Sequence, residues 1–191
     1  MPITQLDPRI ERTRRVVLDA AIEVIAERGF AGATVDAIAT RSGVARSTIY
    51  RNWDDPSALL LEAVRARVGP VAELVVGDVR QDLLAVCRHL ATLLTQEPMA
   101  SVAASLALES RRDPSLDALH RRFAEGRMRA LAEVVEGAKA CGDLPDAPDA
   151  ETVATDLGAA IFFRAMVLRA PIEPAWLEAH VDACLARYGA V

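Results

Sequence analysis

The residues best equipped for chemistry lie between Thr34 and Trp53, in the run Thr-Val-Asp-Ala-Ile-Ala-Thr-Arg-Ser-Gly-Val-Ala-Arg-Ser-Thr-Ile-Tyr-Arg-Asn-Trp. Arg46, Ser47, Thr48, Tyr50 and Arg51 bring guanidinium, hydroxyl and phenol groups into one short stretch. Their shared chemistry is hydrogen bonding to phosphates and base edges rather than bond making. Arg46 suits a base edge, because a guanidinium pairs with guanine at two places. Ser47 and Thr48 are short enough for bases or phosphate, and the Thr48 methyl can meet a thymine methyl. Tyr50 and Arg51 suit phosphates, contacts that fix register without reading sequence. Asn52 fits either a nucleic-acid contact or packing, and Trp53 is expected to pack beneath the others.

Two short helices and a tight turn must position these groups. Thr34 is a natural N-cap whose hydroxyl accepts from a free N–H, and it can offer a hydroxyl or N–H to a phosphate. Val35, Ile38 and Ala39 then recur at helical spacing. Ser42-Gly43-Val44 interrupts the pattern, with Gly43 able to take positive φ. A second helix from Ala45 turns Val44 and Ile49 inward and leaves the polar groups outward. This is the pattern of a helix-turn-helix, whose second helix enters the DNA major groove. Ahead of it, Val16, Val17, Ala20, Ala21, Val24 and Ile25 form one stripe of a helix over Thr13 to Arg28, ended by Gly29. Arg12, Arg14 and Arg15 precede that helix and either reach the DNA backbone or an adjacent minor groove, or form a solvated charge run. Asp55-Pro56 opens a fourth helix, carrying Leu59, Leu60, Ala63 and Val64, that breaks near Gly69-Pro70.

Gly43-Val44-Ala45-Arg46-Ser47-Thr48-Ile49-Tyr50-Arg51-Asn52-Trp53, followed by Ser57-Ala58-Leu59-Leu60, resembles the TetR family of bacterial transcriptional regulators. The match is dense over Arg12 to Val68 and architectural beyond. The resemblance implies a homodimeric, ligand-responsive protein that binds a double-stranded DNA operator, usually as a repressor. It implies a DNA-binding head over residues 9–68, with the helix-turn-helix at 34–53, and a ligand-sensing and dimerisation domain over 69–191. The family usually places a lysine on a phosphate where this chain has Pro56, so Arg51 or the helix's own N–H groups would have to substitute.

Composition agrees with an all-α chain. Of 191 residues, 52% are hydrophobic but only 4% aromatic, and alanine and leucine dominate, which favours helix over sheet. The net charge of −5 hides an uneven distribution. Through Trp53 eight arginines face six carboxylates, whereas the remainder carries 14 basic and 21 acidic residues. Charges such as Arg88, Arg164 and Arg169 interrupt the best apolar runs, and the first residues lack the apolar core of a signal peptide, so a soluble cytoplasmic protein is expected. Cys87, Cys141 and Cys184 stand far apart without a Cys-x-x-Cys pair, and His89, His120 and His180 show no ligand spacing. No metal, cofactor or catalytic residue is therefore expected.

The rest punctuates itself into helices, about nine in all, as a C-terminal bundle behind a three-helix head. Breaks are expected at Pro98, Asp113-Pro114, Cys141-Gly142, the Leu144–Pro148 loop, Asp149 and Pro171 to Pro174. One helix is expected from Asp149 to Leu168. Its run Leu157-Gly158-Ala159-Ala160-Ile161-Phe162-Phe163 is apolar on most sides. That width fits either burial at the centre of one chain or a two-fold interface made by the last two helices, as the resemblance implies. Leu94, Met99, Leu106, Phe123, Met128 and Phe162 are candidates for the lining of an effector pocket, or plain core. Arg164 is the odd residue in its apolar stretch, able to pair with Asp156 or Glu109, to meet an acidic ligand or to snorkel. An all-helical enzyme is disfavoured by the lack of a Glu-x-x-His pair, a glycine-rich phosphate loop or a Gly-x-Ser-x-Gly elbow. A DNA binder without effector and a protein-interaction module remain the alternatives; sequence-selective duplex binding and its response to ligand separate them.

Overall fold

The computed structural model describes residues 8–69, 77–144 and 148–189. The amino-terminal leader region and parts of the breaks expected at Gly69-Pro70 and Leu144–Pro148 lie outside them. Among the described residues the chain is all-α, with no strand. It divides into two units that do not follow chain order: residues 1–69 with 97–119, and residues 70–96 with 120–191. The sequence divides the chain once, at residue 68; by packing, the segment 97–119 groups with residues of the head.

In the first unit, α1 (Pro8–Gly32) is the common partner of α2 (Val35–Ser42), α4 (Pro56–Val68) and α6 (Met99–Glu109). Val17, Ala21, Val24 and Ile25 of α1 are buried, as are Ile38, Leu59, Ala63, Val102 and Leu106. Val16, assigned to the same stripe from sequence, faces solvent instead. The reading helix α3 (Arg46–Asn52) packs on α2. Local signals set the ends of these helices. The Thr34 hydroxyl accepts from Ala37 N–H at 3.2 Å, and Asp55 accepts from Ser57 N–H at 2.9 Å with Pro56 next in line. Gly43 closes α2 in the left-handed region at φ 70°.

In the second unit, α5 (Val79–Thr95) packs against α8 (Ala150–Phe162) and α9 (Pro174–Arg187), and α7 (Pro114–Cys141) contributes residues from His120 onward. Asp78 and Asp149 cap α5 and α8 through the N–H groups of Gln81 and Thr152. Arg80 grips Asp182 through two bonds at 2.6 and 2.9 Å, and Arg88 reaches Glu178 at 3.3 Å, so two ion pairs join α5 to α9. The helix expected to run unbroken to Leu168 instead widens into a π-helical turn over Phe163–Val167, where Leu168 N–H donates to Phe163 C=O. The widened turn ends the buried stripe: Ile161 is fully buried, but Val167 and Leu168 are more than half exposed.

Two glycines separate conformational need from space. Gly29 interrupts α1 at φ 73°, ψ 175°, a region open essentially to glycine alone, and an added Cβ would stand 2.6 Å from Glu109 Oε1. Gly43 is left-handed with open space around it. Gly43→Asn should stay near wild-type stability and Gly43→Ala should lose about 1 kcal/mol. Gly29→Ala should lose on the order of 1–3 kcal/mol. Urea midpoints of the three variants check this order; equal losses for the two alanine variants would refute the Glu109 contact.

Candidate nucleic-acid interface

A helix of seven residues is too short to hold itself in water, so α3 must be pinned from beneath. Ile49 is its buried anchor. Trp53, which follows it, is also buried, and its indole N–H donates to Glu62 Oε2 at 2.9 Å. The same carboxylate receives Arg14 through a fork, with Nε at 2.7 Å from Oε1 and Nη2 on Oε2. The Arg14 guanidinium also lies over the Trp53 ring, 4.8 Å from its centroid. Trp53 thus packs beneath the helix as its sequence position indicated. Arg14, expected either on DNA or in a solvated charge run, makes these contacts within the head. Its fork and its face are both engaged inside the head, where it braces the end of α3.

The opposite face of α3 is open. Arg46, Ser47, Tyr50 and Arg51 are exposed, and Thr48 and Asn52 are half-buried. Arg51 Nε donates back to Ser47 C=O at 3.2 Å and Asn52 Nδ2 to Thr48 C=O at 2.8 Å, so both side chains lie along the helix. Arg46 Nε contacts Asp36 Oδ1 of α2 at 2.8 Å, with the two side chains 64% and 61% exposed. That pair is held loosely, because exposed ion pairs contribute only about 0–1 kcal/mol. Thr34 is exposed at the start of α2, beside a surface hollow that Arg28, Thr40 and Arg41 also line. Arg41 bridges Glu23 and Glu27 at 2.9 and 2.5 Å. Its hydrogen bond to Glu27 raises the guanidinium pKa further and lowers that of Glu27.

Three carboxylates organise this head, none given this task from sequence: Glu62 under α3, Asp36 against Arg46, and Glu109, named there only as a possible partner of Arg164. The Glu109 carboxylate accepts from Phe30 N–H and Ala31 N–H, each at 3.0 Å, and from the Ser105 hydroxyl. It thereby ties α6 to the two N–H groups freed where Gly29 breaks α1. Burial pushes its pKa up, but the bonds from Ser105, Ala31 and Phe30 outweigh this and hold the carboxyl below its ordinary value. The sole hint in sequence is an acid at the last position of a mostly apolar helix.

The candidate effector residues are distributed over both units. Met99 and Leu106 are buried in the first unit, and Leu94 is buried in the second. Phe123 and Met128 are half-buried, and Phe162 is 43% exposed. Arg164 pairs with neither Asp156 nor Glu109. Its Nε donates to Pro171 C=O at 2.8 Å and its guanidinium lies over Trp176, which folds back across the final break. Asp156 is held by Arg187 at 3.2 Å and by the Tyr188 hydroxyl. Phe162, Phe163, Val167 and Leu168 leave an exposed apolar patch at the end of α8. Among the described residues no cluster of His, Cys, Asp and Glu has the makings of a metal site, and no helix is long and apolar enough to cross a membrane.

Known proteins align with this arrangement. The profile of bacterial regulatory proteins of the tetR family matches residues 17–63, and that of the tetracyclin repressor-like C-terminal domain matches residues 76–184. The HTH-type transcriptional regulator AqdR of Rhodococcus erythropolis is 29% identical over 150 residues, 77% of this chain and 71% of its own. The uncharacterized HTH-type transcriptional regulator YdeS of Bacillus subtilis is 29% identical over 164 residues, 84% of this chain and 81% of its own. The crystal structure of the TetR family transcription regulator SCO0332 superposes with a TM-score of 0.70 at 27% identity, covering 92% of this chain and 97% of that one.

Glu109 gives the head a pH dependence of known sign. Its folded pKa lies below the unfolded value near 4.5, so its contribution is complete above pH 4.5 and fades as pH falls through the folded value. Glu109→Gln should lower stability at pH 7 by about 1 kcal/mol, a low figure because the group is half-exposed. The gap to wild type should narrow as pH falls below 4.5. Urea titrations at pH 7 and pH 3.5 check this; a gap of the same size at both would mean that charge plays no part.

Proposed function

The chain belongs to the TetR family of bacterial regulatory proteins, and we propose that it works as a one-component repressor that binds a near-palindromic operator as a homodimer and leaves it when a small effector binds. DNA binding and transcription regulation come with the family, and the chain is not an enzyme. The observation that carries the finer reading is the division of α3 into two faces. Ile49 and the neighbouring Trp53 anchor it, while Arg46, Ser47, Tyr50 and Arg51 stand outward on a rod about 10 Å long, a length that fits a groove about 12 Å wide.

Roles follow from chemistry. Arg46 reads a base, exchanging its exposed partner Asp36 for the two acceptors of a guanine. Ser47 and Thr48 offer hydroxyls to bases or phosphate. Tyr50, Arg51 and Thr34 hold phosphates and set register. Asn52 is drawn toward its own helix by its bond to Thr48 and supports α3 rather than reading sequence. The exposed patch of Phe162, Phe163, Val167 and Leu168 supports pairing through the α8 end and α9, since an isolated chain gains nothing by leaving four large apolar side chains in water. A two-fold dimer that presents its two α3 helices about 34–36 Å apart meets adjacent major grooves one turn apart. The work is done in the cytoplasm, beside the chromosome. Effector release requires a ligand that prefers the conformation not bound to DNA.

Selection of bound fragments from a random duplex pool tests the operator directly: two inverted half-sites one turn apart are expected, and a single unpaired half-site would overturn the dimeric reading. Arg46→Ala should lose about 1–3 kcal/mol on the selected operator and little on a variant changed at its guanine. Tyr50→Phe should weaken all operator variants alike. Gel-shift titration over a variant panel checks both, and a uniform loss for Arg46→Ala would remove it as a base reader. Phe163→Asp should yield monomer at micromolar concentration in sedimentation velocity, whereas an unchanged dimer would place the interface elsewhere.

A further inference from the structure

The inward stripe of α7 runs Phe123, Arg127, Leu131, Val134 and Val135, so a guanidinium stands where helical spacing calls for a methyl-bearing side chain. Arg127 is 7% exposed, and it is the one buried basic side chain among the described residues. Its Nη1 is shielded from solvent and makes no hydrogen bond. The contrast with the other arginines is sharp. Arg14, Arg41, Arg46, Arg80, Arg88 and Arg187 each hold a carboxylate, and all of them are more exposed than Arg127. Arg127 has only the Phe123 ring, whose centroid lies 5.5 Å from its guanidinium carbon. Burial alone lowers its pKa, with no acid opposing the shift. Arginine does not escape such a site by losing its proton, so the charge stays and the buried Nη1 stays unanswered.

We infer that Arg127 anchors the carboxylate of an organic monoanion with an apolar body, bound among the α7 and α8 side chains of the second unit. The inference rests on the effector-binding part of the function proposed above and names its ligand class. The fork of a guanidinium matches the two oxygens of a carboxylate. A single buried cation balances one charge, which disfavours phosphate esters and dicarboxylates. Phe123, Leu131 and Val134 on the same stripe offer hydrocarbon rather than polar groups. The adjacent Met128 supplies a wall that can move. Its thioether lies over Gly158 of α8, where even an added Cβ would meet Met128 Cε at 2.5 Å, and unbranched Met side chains repack readily.

The test uses the intact chain and straight-chain carboxylates from butyrate to decanoate, with octanamide, 1-octanol, phosphate and chloride as comparison probes. Calorimetric titration of wild type should show saturable binding of one or more carboxylates, at least about tenfold tighter than octanamide. Arg127→Met should weaken that binding at least about tenfold and, without ligand, should melt above wild type, because the unpaired charge is gone. Arg127→Lys keeps the charge without the fork; it should bind carboxylates more weakly than wild type and serves if the Met variant does not fold. Exposed Arg129→Met should change neither reading. The inference is overturned if no carboxylate in the series binds, if octanoate and octanamide bind alike, if phosphate binds best, or if ligand-free Arg127→Met melts below wild type. Operator binding measured alongside separates the two readings. Operator binding without carboxylate binding sinks this inference alone, and carboxylate binding without duplex binding sinks the regulator reading alone.

Discussion

A reading helix only seven residues long has no stability of its own, and the head is built around that constraint. Nucleating a single pair of turns fixes many dihedral angles for few hydrogen bonds, so α3 exists because Ile49 and Trp53 bury apolar surface at its underside and end. The burial of an indole adds an N–H that needs an acceptor. Glu62 meets that need and in turn needs a cation, which Arg14 supplies while covering the ring. One apolar demand thus recruits an acid from α4 and a base from α1, and the outward face of α3 is left free for a partner.

A second chain of consequence starts at Gly29. The φ/ψ values there stop the α1 hydrogen-bond ladder and strand the N–H groups of Phe30 and Ala31, which must find acceptors. Glu109 supplies both, so the last turn of α6 becomes part of the wall of the DNA-binding unit although it lies far along the chain. On the proposed function of a repressor released by ligand, this matters energetically. A ligand changes operator affinity only by preferring one arrangement of the head over another, and an acid holding two backbone donors has discrete made and broken states to choose between.

Local chemistry was legible in the residues. Thr34, Gly43, Asp55-Pro56 and Asp149 mark helix ends because a cap bonds within three residues of itself or needs one φ value. The inward turn of Ile49 and Trp53 followed from spacing. Partner choice was not legible. Arg14 looks the same in sequence whether it meets phosphate or Glu62, 48 residues away. Arg164 was open to Asp156, Glu109, an acidic ligand or solvent, and it meets a carbonyl and an indole, while Asp156 of its own unit is held by Arg187 and Tyr188. The π-helical turn escaped notice since its residues are ordinary helix formers, and it is this turn that ends the buried stripe before Phe163. The assignment of residues 97–119 to the head depends on tertiary contacts that no periodicity encodes.

The ion pairs of the head also bear on how a protein of net charge −5 approaches a polyanion. Arg14 and Arg41 are neutralised by acids on neighbouring helices, so they add little to the outward field. Arg46 is different, because its acid is exposed and the pair contributes only about 0–1 kcal/mol. On the proposed role of Arg46, a guanine returns about 1–3 kcal/mol through two acceptors, and Asp36 loses the competition. Against a base that offers one acceptor or none, Asp36 holds its own, and the arginine gains nothing by leaving. An adjacent carboxylate therefore lowers binding to every sequence somewhat and to wrong sequences relatively more. On the proposed function, this competition adds to the discrimination that Arg46 supplies.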